Sequence, residues 1–91
     1  MIDGKGVFPL SDSLENEIRT LISNVGGLAP NFDDRADLYS DLGMASVKAM
    51  QLLLELEDRF GVSIPDEDFV QATTLSSVHD LISRLRPGTP A

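Results

Sequence analysis

The 91-residue chain contains no cysteine. Disulfides, thiolate nucleophiles and zinc–thiolate centres are therefore excluded. No apolar run approaches a membrane-spanning length, and the opening "MIDGKGVFPL" has neither the basic start nor the apolar stretch of a secretory signal. The expected location is cytoplasmic. Positive charge is scarce: 7 Lys and Arg stand against 15 Asp and Glu, a formal net charge of −8. That balance opposes binding to nucleic acid phosphates or to anionic lipid. It favours partners with basic surfaces, steered in electrostatically and released by salt, or else serves only solubility.

Chemistry-bearing constellations are also missing. The one histidine, His79, stands in a different predicted helix from any candidate nucleophile, at the border of an apolar stripe, where an exposed residue without a role is expected. Glycine-rich phosphate loops, metal-ligand clusters, internal repeats and strand-like alternation are absent. The acidic stretch "NFDDRADLYSDL" does not read as a calcium loop, which needs glycine sixth and glutamate twelfth. Counted from Asn31 those positions are Ala36 and Leu42; counted from Asp33 they are Leu38 and Met44. No acid–base, metal or nucleophile set indicates an enzyme.

What the chain does have is helical periodicity. Hydrophobic residues make up 42% of it, enough for a globule, and its length predicts one domain with a small core. Leu14, Ile18, Leu21, Ile22 and Val25 form one apolar stripe, with Ser11, Asp12 or Ser13 as possible caps and Gly26-Gly27 as the stop. A long connection follows, in which Leu28, Phe32, Leu38 and Leu42 are expected to pin the chain to the bundle. A second helix is predicted from about Ser46 to Phe60, stopped by Gly61. "VSIP" reads as extended. "PDEDF" reads as a short helix with proline in its first turn and Phe69 and Val70 packed inward. The last helix begins near "TTLSS", carries Val78, Leu81, Ile82 and Leu85, and stops at Pro87-Gly88. The fold class is all-α: three main helices, one short helix and a long loop between the first two. The predicted organisation is a flexible flank 1–10, a helical domain 11–86 and a flexible tail 87–91, and the expected oligomeric state is a monomer.

The second helix carries more leucine than one buried face needs. At about 100° per residue, Ala49, Leu52, Leu53, Leu56 and Phe60 share a face sufficient for the core. Val47, Met50 and Leu54 form another stripe at i, i+3 and i+7, which Glu57 and Asp58 continue. Either the long loop covers this second stripe or a partner does. Ser46 stands where the helix opens, and serine is a favoured N-cap.

The segment "DLYSDLGMASVKAMQLLLELEDRFGVSIPDEDFVQATTLSSVHDLISRL" resembles the acyl carrier protein family, which includes peptidyl carrier domains. The resemblance runs from about Leu14 to Leu85 and rests on an ordered set: Asp41-Leu42-Gly43, the serine opening helix two, "LELEDRFGVSIPDED" and the spaced "TTLSSVHDLI". It implies that Ser46 receives 4′-phosphopantetheine from coenzyme A and that the arm carries an acyl or aminoacyl group as a thioester. It also implies two kinds of partner, a phosphopantetheinyl transferase and acyl- or aminoacyl-loading and transferring enzymes with basic and apolar docking surfaces. These would meet Val47, Met50, Leu54, Glu57 and Asp58. The chain departs from the family pattern at Ala45, where an aspartate usually precedes the serine, and at Lys48 and Gln51, where acids are common in fatty-acid carriers. Those departures point to a specialised carrier. They also keep open an alternative, an unmodified carrier-like helical module serving as scaffold.

Overall fold

The computed structural model describes residues 10–86, with side chains from Ser13 onward. The two expected flanks thus fall almost wholly outside the described residues, as does the Pro87-Gly88 stop. The described residues form four helices: α1 (Leu10–Gly26), α2 (Lys48–Phe60), α3 (Asp66–Gln71) and α4 (Leu75–Leu85). No strand occurs among the described residues. One core gathers the apolar stripes of all four helices, with Ile18, Ile22, Leu52, Leu56, Leu75, Val78 and Ile82 wholly buried.

The stripe of α1 is buried at every expected position, Leu14 through Val25. Its start differs from expectation: the helix already includes Leu10, so Ser11, Asp12 and Ser13 lie inside it and are not caps. Serine and aspartate favour the cap by only about 1 kcal/mol and are tolerated in a first turn, so their presence does not fix the boundary. At the other end the two glycines act differently. Gly27 takes a left-handed φ of 68°, which lets Leu28 N–H reach the Ser23 carbonyl at 3.0 Å and close the helix. Gly26 is still helical, and a Cβ there would come within 3.0 Å of the Met44 sulfur. It admits the long loop to the end of α1.

That loop, residues 27–47, packs as the sequence predicts. Leu38 is wholly buried, and Leu28, Phe32 and Leu42 pack against the core. Tyr39 and Met44, not singled out from the sequence, do the same, Met44 with only 3% of its surface exposed. Polar ties hold the backbone. Arg19 donates to the carbonyls of Pro30 and Phe32 and lies over the Phe32 ring at 4.7 Å. Leu38 N–H donates to the Thr73 carbonyl at 2.8 Å, and Ser76 N–H to that of Asp34 at 3.0 Å. The loop is thereby fastened to the entrance of α4.

Two further readings need correction. Val70 is not packed inward; it is 69% exposed while Phe69 is buried. Adjacent helical residues point about 100° apart, and the side of this six-residue helix that meets the core takes Phe69 and leaves Val70 outside. Pro65 is not in the first turn of α3 either. It is extended (ψ 138°) and precedes the helix. The α4 entrance has a full capping box: Thr74 Oγ1 accepts from Ser77 N–H at 3.1 Å, and Ser77 Oγ from Thr74 N–H at 3.0 Å.

Candidate functional site

The site is built outward from Met44. Its N–H donates to the Leu38 carbonyl at 2.9 Å, and its buried side chain sits against the end of α1. Just before it, Gly43 turns the chain at φ 76°. With Met44 held, the next three residues, Ala45, Ser46 and Val47, are all exposed. They form a tight turn, Lys48 N–H bonding to Ala45 and Ala49 N–H to Ser46, at 2.9 and 3.0 Å. Regular helix therefore begins at Lys48, two residues later than expected, and Val47 occupies the cap position without a side-chain bond. Ser46 is thus not the N-cap. Among the described residues its hydroxyl has no hydrogen-bond partner, so no side chain or backbone group competes for it. No acid stands in the first turn of α2.

Upstream, a turn at Asp37 sets the course of this segment. The Asp37 carboxylate accepts the N–H groups of Tyr39 and Ser40, both at 2.9 Å. Asp41 in return accepts Asp37 N–H at 2.9 Å. The backbone bonds from Ser40 and Tyr39 hold the Asp37 carboxyl below its ordinary pKa. Burial, aided by the Asp37 charge, pushes the Tyr39 hydroxyl up. An aspartate followed four residues later by a second aspartate is the signal in the sequence for this turn.

Beyond Ser46 the two stripes of α2 part company. Leu52, Leu53 and Leu56 are buried, while Val47, Met50 and Leu54 are 79%, 61% and 57% exposed. The loop does not cover them. Asp58 is exposed in line with the stripe. Glu57 is half-buried, and its carboxylate accepts Ile64 N–H at 2.8 Å, so it also ties down the extended link to α3. Gln51 and Glu55 bond to each other at 3.2 Å along the polar side. His79 lies apart, on α4, and is not the exposed residue expected. Its side chain is only 21% exposed, Nδ1 lies 3.7 Å from Asp80, and Nε2 is buried with no partner among the described residues.

A small all-helical bundle with an exposed serine just ahead of its second helix has the architecture of a carrier-type domain. Comparison with known proteins agrees. Residues 16–82 match the family described as phosphopantetheine attachment site. A solved structure of the acyl carrier protein from Enterococcus faecalis, described for novel structural components that contribute to its high thermal stability, is 30% identical with a TM-score of 0.67, over 79% of this chain and 92% of that chain. The chain belongs to the phosphopantetheine-binding carrier protein family. It is a carrier protein whose prosthetic group is 4′-phosphopantetheine. Among the described residues no helix is long and apolar enough to cross a membrane.

Proposed function

We propose that Ser46 is the attachment residue and that Val47, Met50, Leu54 and Asp58, with Glu57 at the margin, form the face that partner enzymes read. The observation that carries this reading is the exposed, unbonded Ser46 hydroxyl at the start of a 13-residue helix. The residues present suit a phosphate ester there. The positive end of the α2 dipole favours an anion, and no first-turn acid opposes one. When bound, the arm supplies a terminal thiol that holds an acyl or aminoacyl group as a thioester. The chain itself then needs no catalytic group, and it acts as carrier, not enzyme. Met44 and Gly43 fix where the serine emerges, and the exposed stripe beside it gives a transferase or loading enzyme apolar surface to bury. The absence of cysteine leaves no second thiol to compete for the cargo. Lys48 and Gln51 keep the serine end of the stripe free of acid, which suits a dedicated partner in a specialised cytoplasmic pathway.

Incubation with coenzyme A and a promiscuous phosphopantetheinyl transferase, followed by intact-mass measurement, tests the reading. One phosphopantetheine is expected on the wild type and none on Ser46→Ala. A wild type left unmodified by several transferases would instead support the scaffold module.

A further inference from the structure

We propose that Met50 is an oxidation site whose sulfoxide blocks docking at the face beside Ser46. The inference rests on the docking role given to that face above. Two methionines of the described chain make the comparison. Met44 is 3% exposed and wedged against Gly26, whereas Met50 is 61% exposed. Met50 stands one helical turn beyond Ser46, three residues after Val47 and four before Leu54, so its thioether is at the centre of the exposed stripe. Neither neighbour contains an oxidisable atom.

The step needs only hydrogen peroxide. The thioether sulfur attacks the nearer peroxide oxygen, the O–O bond breaks and an S–O bond forms. Sulfur is oxidised by two electrons. The peroxide is reduced, its leaving hydroxide taking the proton from the transferred oxygen to become water. The product is a polar, chiral sulfoxide where a flexible apolar side chain stood. Buried in a partner's apolar socket without a hydrogen-bond donor, that oxygen weakens docking by roughly tenfold to a hundredfold. The bundle itself is untouched, because the side chain contributes little to the core. The change is reversible by methionine sulfoxide reductases, which gives the carrier a way to leave circulation under peroxide stress and return.

The test uses the full chain treated with hydrogen peroxide, then freed of it. Peptide mass spectrometry follows oxygen addition at Met50 and Met44, and a promiscuous transferase with coenzyme A reports docking through its KM. Expected results are oxidation of Met50 at least about tenfold faster than of Met44, and a KM raised about tenfold or more with helicity unchanged. Methionine sulfoxide reductases should restore the KM, and Met50→Leu should keep its KM through peroxide treatment. Equal oxidation of the two methionines, or an oxidised wild type with unaltered KM, overturns the inference while leaving the carrier reading intact. An untreated protein that accepts no arm overturns both, and this control separates the two failures.

Discussion

Among the described residues the Ser46 hydroxyl makes no hydrogen bond, and its residue is exposed, so its loss should cost the fold little. Ser46→Ala is expected to leave the urea midpoint within the range of ordinary surface changes, about 0.5 kcal/mol, while abolishing arm attachment. Loss of stability well beyond that would mean the hydroxyl is structural. His79 gives the opposite case. Its buried Nε2 has no partner among the described residues, and an unsatisfied buried polar atom costs about 1–3 kcal/mol. His79→Phe should therefore be neutral or stabilising by up to about 1 kcal/mol in chemical denaturation. Clear destabilisation would show that the imidazole holds a bond through water. Neither residue's state was evident from sequence. A serine near a helix start reads equally as cap or as free hydroxyl until the first backbone bonds are known, and a stripe-border histidine reads as exposed until α4 is packed.

Helix α2 has two apolar faces with different fates. Leu56→Ala on the inner face should cost about 2–5 kcal/mol, since Leu56 is wholly buried. Leu54→Lys on the outer face should change stability by under about 1 kcal/mol yet raise the transferase KM. Thermal melts and modification kinetics on the same pair check both, and a Leu54→Lys protein that unfolds would make the stripe core. The two stripes could be drawn from spacing alone, because helical period is a local property. Which stripe the loop covered could not be. Burial of Leu38 and Met44 draws the loop over α1 and toward the entrance of α4, away from Met50 and Leu54. The same limit applies to α3, where Phe69 and Val70 look alike in sequence and only packing turns one inward.

For the molecule as a whole, charge and the long loop govern the response to conditions. The Asp37 carboxyl titrates below its ordinary value of 3.8. Its folded-state pKa is depressed, so the stability it contributes is present above 3.8 and is lost as pH falls through the lower folded value. Asp37→Asn should thus differ most from wild type near neutrality, and the gap should close under acid unfolding; a gap constant down to the acid limit would refute the link. Tyr39 works at the other extreme. Its raised pKa means stability declines as pH climbs above 10. A net charge of −8 in so small a chain adds self-repulsion, which moderate salt should relieve at neutral pH.

From its order of residues alone this protein determined that it is helical, where the main stripes lie and that a serine stands close to the start of the leucine-rich helix, because period, stop signals and turn chemistry act over a few neighbours. Tertiary structure decided the rest: that α2 begins past Ser46 and leaves its hydroxyl unbonded, that the loop falls on one side of α2 and not the other, and that Val70 faces out while His79 goes half under. Those outcomes depend on which surfaces meet across distant parts of the chain, and burial, unlike helical period, is a property of the assembled bundle.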